Sequence, residues 1–304
     1  MVDGERAVQV ERVSPRERVA GRDRGALRVA GRALPWGVRT YVMGIVNVSP
    51  DSFSGDGSRD AAAAVAHALE QLADGADLID IGAESTRPGY KPIETATECA
   101  RLLPAVGALR AAAPGAIISI DTFKAGVYRA AHAAGGEVLN SIWGATDELI
   151  AVCVETASPI VVMHNKAVAV YERDVVDEVL ASLDDAARRC ARAGIPPDQI
   201  ILDPGIGFGK LPEHNIALLG ALDRFVALGF PTLIGTSRKS TIGKLTGRNI
   251  DERAFGTAAT VALAVAAGID IVRVHDVAAQ RDVVRVADAI VRGWRPDGWT
   301  ERLP

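Results

Sequence analysis

Eight short apolar runs in the chain each end in a hydrogen-bonding group, and the residue types at those ends fall into two chemical sets. Asp121, Asn140, Asp203 and Lys239 suit the edge of a planar heterocycle. A carboxylate accepts two parallel N–H bonds from an amidine-like edge such as a 2-aminopyrimidinone, and Asn and Lys address ring carbonyl and ring nitrogen atoms. Arg87, Arg238, Arg273 and His275, with Asn47, suit an anion and a metal. Guanidinium forks match phosphate oxygens, and a carboxamide oxygen can join a Mg2+ shell that keeps several waters. The remaining ends are Glu84-Ser85-Thr86-Arg87, His164 and Ser237-Arg238-Lys239. Three plainer readings compete: strand-end Asp and Ser as helix caps, Lys239–Asp203 as a buried ion pair, and His275 as a core histidine. Capping does not explain why all eight ends are polar, and His275 shares a strand face with Arg273 two residues before it.

The run Asp203-Pro204-Gly205-Ile206-Gly207-Phe208-Gly209-Lys210 looks like a phosphate-cradling loop but is not one. No Ser or Thr follows Lys210, and the glycines recur every second residue, which fits neither a P-loop nor a dinucleotide fingerprint. The expectation is that these glycines let backbone approach a flat ligand closely, with Phe208 as an apolar wall.

The elements that must position these groups follow one rhythm. The runs are Tyr41–Asn47, Asp77–Glu84, Ile117–Asp121, Glu137–Asn140, Pro159–His164, Gln199–Asp203, Pro231–Gly235 and Ile269–His275. Between them lie segments with apolar residues at three- and four-residue spacing, such as Ala61–Asp74, Ala125–Ala134, Val175–Ala193, Ile216–Leu228 and Thr257–Ala267. Several end in Gly, as in Asp74-Gly75-Ala76 and Ala267-Gly268, a helix-stop signal. Near-continuous apolar strands alternating with helices predict a parallel sheet covered on both faces. Eight such units predict a (β/α)8 TIM barrel, with polar strand ends meeting at its carboxyl-terminal mouth. A doubly wound open sheet is the alternative.

Composition agrees with a single α/β domain. The chain has 304 residues, 48% hydrophobic and 24% charged, with mean hydropathy +0.15. A net charge of -4 offers no basic footprint for nucleic acid. No apolar stretch is long enough to span a membrane. Cys99, Cys153 and Cys190 lie far apart, which argues against a disulfide framework or structural zinc and fits a reducing, cytoplasmic compartment. The first 40 residues hold nine Arg and five acids with no apolar core of a signal peptide. Residues 1–33 are therefore expected to be a solvated, partly disordered extension, and 34–304 the barrel.

Five blocks of this sequence resemble the signature motifs of the dihydropteroate synthases. They are Met43–Ser54 (MGIVNVSPDSFS), Glu84–Gly89 (ESTRPG), Asp203–Lys210 (DPGIGFGK), Gly235–Ser240 (GTSRKS) and Arg273–Val277 (RVHDV). They occur in family order from about residue 35 to residue 294. The resemblance implies a pterin-binding (β/α)8 barrel and a transferase of folate biosynthesis. It would condense 6-hydroxymethyl-7,8-dihydropterin pyrophosphate with p-aminobenzoate to give 7,8-dihydropteroate and pyrophosphate. Carried over position by position, Asp121, Asn140, Asp203 and Lys239 would hold the pterin edge. Arg273 would stack on the pterin face and, with His275 and Ser237, meet the pyrophosphate; Lys239, Arg273, His275 and Asp121 would form the catalytic set. Asn47 would touch a Mg2+–pyrophosphate. Phe53, Thr86, Arg87, Pro88, Phe208 and Ser240 would shape the p-aminobenzoate side. Sulfonamides as inhibitors and a homodimer are further family expectations.

The sequence departs from the family at several points. Ser141 follows Asn140 where Asp is usual, Gly55-Asp56-Gly57 stands for Asp-Gly-Gly, Ser49 for Thr and Ala83 for Gly. Two other functions share parts of the pattern. The methyltetrahydrofolate-dependent methyltransferases have the pterin reader without a pyrophosphate site, so Arg273-Val274-His275 argues against them. A catalytically silent pterin-binding paralogue would be marked by loss of the anion set or of the first loop, and both are kept here.

Overall fold

Eight parallel strands pair laterally, each beside its neighbours in sequence, with the last of them beside the first. They are β3 (Tyr41–Asn47), β4 (Leu78–Gly82), β5 (Ile117–Asp121), β6 (Val138–Ser141), β7 (Ile160–Met163), β8 (Ile200–Asp203), β9 (Leu233–Ile234) and β10 (Ile271–Val274). A parallel bridge between Leu202 and Thr232 joins the two edges and closes the barrel. The molecule is a computed structural model that describes residues 24–29, 31–48, 57–84, 92–296 and 298–299.

The strands form where expected because they are buried on both faces. All five residues of Leu78–Gly82 are buried, as are the first six of Tyr41–Asn47. Helices cover the outside, among them Gly57–Ala73, Val175–Arg192, Ala254–Ala267 and Val277–Val291. The expected single helix over Ile216–Leu228 is instead two, Pro212–Gly220 and Leu222–Val226, broken at Ala221. The helix Thr95–Ala112 carries Pro104 inside it, a residue that removes one backbone bond and argues against helix on local grounds alone.

Inside the barrel, side chains alternate with the strand period. The lowest layer takes one apolar residue from each strand: Met43, Leu78, Ile117, Val138, Val161, Ile201, Leu233 and Ile271. Beneath it lies an antiparallel hairpin, β1 (Ala26–Val29) and β2 (Arg32–Pro35), whose Leu27, Val29 and Leu34, with Trp36, join the same cluster. Arg24 pairs with buried Asp270 at 2.6 and 2.9 Å, and the Trp36 indole donates to the Asp198 carbonyl at 2.9 Å. The expected extension thus has a folded end that closes the barrel floor, and a boundary at residue 33 runs through that hairpin. Residues 1–23 lie outside the described residues.

Candidate active site

Two residues above the apolar layer, on the same inward strand face, the side chains become polar. Leu78 is followed by Asp80, Ile117 by Ser119, Val138 by Asn140, Ile201 by Asp203 and Ile271 by Arg273. One step further up come Asn47, Asp121 and His275. Strand register puts Asn47, Gly82, Asp121 and Asn140 side by side in one row.

These groups bond to one another across the barrel. Arg273 lies between two carboxylates: Nε donates to Asp80 Oδ2 at 2.7 Å, and an Nη donates to Asp121 Oδ2 at 3.0 Å. Asp80 also accepts from Asn140 Nδ2 at 2.9 Å and from Ser119 Oγ at 2.6 Å. Asp80 is fully buried and was not among the sequence candidates. A usable signal existed: it is an acid in the middle of an apolar strand, at the same parity as Leu78.

Asp121 keeps one oxygen without a partner among the described residues. Its Oδ1 is buried and bonded to nothing among the described residues. Burial first, then the charge of Asp80, push its carboxyl up to about 7 despite the nearby Arg273 and Lys239. Asp203 is buried at the end of β8, and its Oδ1 accepts from the Gly205 amide at 2.7 Å. Burial raises it to about 6, against the pull of that amide and of Lys239, Lys210 and Arg273. Two buried carboxyls poised near neutrality are what a heterocyclic N–H edge needs to complete their bonding.

Lys239 enters from the turn after β9, with Nζ 3.8 Å from the centre of the Phe208 ring. Ser240 is exposed beside it and begins the helix Ser240–Thr246. His275 binds Ser237 twice: its backbone amide donates to Oγ at 3.1 Å, and Nδ1 lies 3.0 Å from Oγ. Burial, and then the Arg273 and Arg238 guanidiniums, hold the imidazole down to about 4, so it is neutral before an anion arrives. It is only half-buried at the mouth, which removes the core-histidine reading. Asn47 ends β3 with its side chain exposed.

Capping does not explain the strand ends among the described residues. Lys124, Lys239 and Asp276 occupy the N-cap positions of their helices and make no side-chain cap bond. Three strand-end groups do not join the cluster. Arg238, at φ +58°, turns its guanidinium to Asp276, with Nε 3.1 Å from Oδ2. Glu84 accepts from Lys124 at 2.6 Å and from the Ile93 amide at 3.2 Å. His164 bonds Lys210. Ser141, at the family's usual Asp position, is fully buried with its hydroxyl lacking a partner among the described residues. Phe53, Thr86, Arg87 and Pro88 fall outside the described residues.

The glycine-rich turn differs from expectation. A Cβ on Gly205 would come within 2.0 Å of the His164 carbonyl oxygen, and one on Gly209 within 2.2 Å of the Lys166 carbonyl oxygen. Both glycines take positive φ, +71° and +56°. The close approach they permit is to the backbone after β7 rather than to a ligand. Gly207 alone faces the site, against the Lys239 side chain.

Comparison with known proteins points the same way as this geometry. The family profile described as "Pterin binding enzyme" matches residues 43–275. Dihydropteroate synthase of Bacillus subtilis is 42% identical over 262 residues, covering 85% of this chain and 91% of that protein. The structure of Xanthomonas albilineans dihydropteroate synthase with 4-aminobenzoic acid superposes with a TM-score of 0.83 at 41% identity, covering 90% of this chain and 99% of that one. The Yersinia pestis dihydropteroate synthase in a sulfonamide drug complex gives a TM-score of 0.80 at 34% identity, covering 87% and 98%. This chain belongs to the pterin-binding enzymes and, within them, to the dihydropteroate synthases.

Proposed function

We infer that the protein is a transferase of folate biosynthesis that condenses 6-hydroxymethyl-7,8-dihydropterin pyrophosphate with p-aminobenzoate, releasing 7,8-dihydropteroate and pyrophosphate. The observation that carries the reading is the Arg273 guanidinium held between Asp80 and Asp121 while Asp121 Oδ1 stays buried and without a partner among the described residues. In this reading Asp121, Asn140, Asp203 and Lys239 hold the pterin edge. Arg273 covers the pterin face and, with His275, Ser237 and Asn47, receives the pyrophosphate. Phe208 and Ser240, beside Lys239, shape the p-aminobenzoate side, together with Phe53, Thr86, Arg87 and Pro88 by resemblance.

The chemistry follows from charge. As the C–O bond to pyrophosphate breaks, negative charge grows on the leaving group and positive charge on the exocyclic methylene. Arg273 and His275 act on the first, so they lower the barrier rather than merely bind. The methylene cation is conjugated with the ring, and the arylamine nitrogen attacks it. No protein nucleophile is needed. Burial pushes the Cys153 and Cys190 thiols up to about 12 and about 11, which leaves neither as a ready thiolate.

Mg2+ is the proposed cofactor, with Asn47 as its protein ligand. One exposed neutral oxygen at a strand end suits an ion that keeps its waters and takes substrate phosphate oxygens, and no cluster of three acidic, His or Cys ligands exists among the described residues. When bound, it would neutralise part of the pyrophosphate charge.

A homodimer is proposed from the outer helices. Phe255 and Leu263 on Ala254–Ala267, and Val286 and Ile290 on Val277–Val291, are between 63% and 91% exposed, an apolar display that a second copy would cover. Sedimentation at micromolar concentration tests it, a monomer being the contrary result. The three free cysteines support a cytoplasmic setting, and no described helix is long and apolar enough to cross a membrane. The functional test supplies both substrates and Mg2+ and follows pyrophosphate release, with a sulfonamide competing against p-aminobenzoate. Pterin binding without release would instead mark a silent paralogue.

A further inference from the structure

Lys210 ends the glycine-rich turn and takes no part in the chemistry above, yet its ammonium is fully bonded within the protein. Nζ donates to the Phe208 carbonyl at 3.0 Å and to the His164 carbonyl at 3.1 Å, and lies 3.0 Å from His164 Nδ1. Those are the three donors an ammonium has, spent on three neutral acceptors. His164 is buried and held to about 4, first by burial and then by the charges of Lys210 and Lys166, so its ring nitrogen accepts.

Two of these bonds cross between strands. They fasten the turn after β8 to the end of β7, where Gly205 and Gly209 already bring backbone against backbone. The Tyr171 hydroxyl adds a bond to the Gly209 carbonyl at 2.9 Å, and the Gly207 amide donates to Asn215 Oδ1 at 2.8 Å. The Phe208 carbonyl is therefore pinned directly by Lys210, and its ring lies over Lys239.

We propose that Lys210 is a positioning residue for the p-aminobenzoate side of the site: its ammonium ties the glycine-rich turn to the end of β7 and so fixes the Phe208 ring against Lys239. The proposal rests on the synthase reading and deepens it. It weighs more on p-aminobenzoate than on the pterin, since Asp121, Asn140 and Arg273 stand on other strands, while Asp203 and Lys239 border the turn itself. The same arrangement gives a pH signature. Burial draws Lys210 down to about 7, with the charges of Lys239 and Lys166 adding to the fall and Asp203 opposing it. Rising pH through that value removes a proton and loosens the tie.

The test measures steady-state kinetics of the full chain for each substrate. Lys210→Met should raise KM for p-aminobenzoate about ten-fold, the lower end of the loss from an orienting partner, with KM for the pterin pyrophosphate rising by a clearly smaller factor and kcat as it was. His164→Ala, which removes one acceptor and leaves the ammonium, should move the same KM by a smaller factor. Between about pH 6 and about pH 8 the native KM for p-aminobenzoate should climb while that of Lys210→Met stays level; the substrate carboxylate is ionised throughout. Asp121 titrates in both proteins, and Asp203 loses the pull of Lys210 in the variant, so KM for the pterin pyrophosphate is followed over the same range to separate the carboxyls from Lys210. Identical pH profiles, or both KM values rising by the same factor, would overturn the proposal, as would a fall in thermal stability with KM unmoved. A native protein that releases no pyrophosphate breaks the synthase reading itself; normal native turnover with an unmoved KM in both variants breaks only this inference.

Discussion

The two ends of the same eight strands solve opposite problems. At the floor, eight apolar side chains pack on the hairpin β1–β2 and Trp36. The charges there are matched: Arg24 meets Asp270 with two bonds, and Asp270 also accepts from the Thr232 amide at 2.9 Å. At the mouth, two strand periods higher, charges are buried with their bonding unfinished, as Asp121 Oδ1 shows. The floor stabilises the fold by removing apolar surface from water. The mouth holds groups in a condition that only a bound ligand completes, which costs stability and prepares binding.

Mutations should therefore separate the two ends. Trp36→Ala at the floor should cost roughly 3–5 kcal/mol of unfolding free energy and leave kcat of the folded fraction unchanged; denaturant melts with parallel rate measurements check it. Arg273→Ala at the mouth should do the reverse, lowering kcat by about 10²–10³-fold, the scale for losing one aimed donor at developing charge. A comparable fall in its melting temperature would blur the contrast. Lys239→Ala should abolish pterin binding measured by calorimetry, without moving the melt as Trp36→Ala does.

Asp80 tests the border between the two regions, because it is buried like the floor and bonded like the mouth. Asp80→Asn keeps the volume but frees Arg273, and kcat should drop by about 10–100-fold, as for residues that orient a reacting group. An unchanged kcat would make Asp80 a purely structural acid. The smallest effect is on protons. Asp121 and Asp203 sit at about 7 and about 6, above ordinary carboxyl values. A pterin edge bonds the ionised form, so affinity should rise with pH through about 5 to 7 and binding at pH 6 should release protons, on the order of one per ligand. Calorimetry in buffers of different ionisation heat reads this; proton uptake would contradict it. For stability the sign is opposite: each raised carboxyl binds its proton more tightly folded than unfolded, so its contribution is full below the unfolded value and is lost as pH climbs to the folded one.

Much of the mouth was legible because strand ends are marked twice, by the stop of an apolar run and by a polar residue. Asn47, Asp121, Asn140 and Asp203 follow that rule, and Arg273, inside its strand, is picked out by His275 two residues later on the same face. Asp80 escaped because it stands inside a run, where only the inward parity with Leu78 distinguishes it. The hairpin escaped because its strands are four residues each, too short for a pattern in an arginine-rich stretch. Pro104 stands inside a helix whose packing outweighs the lost bond.

The order and alternation of apolar runs, read along the chain, dictated a parallel sheet covered on both faces; that it closes into a barrel rather than staying an open sheet was decided where Leu202 meets Thr232. Which side chains meet was another matter. Arg273 and Asp80 lie 193 positions apart, and Lys210 and His164 lie 46 apart. Such partners are chosen by strand register and barrel closure, and the field each group feels depends on neighbours that no local pattern names.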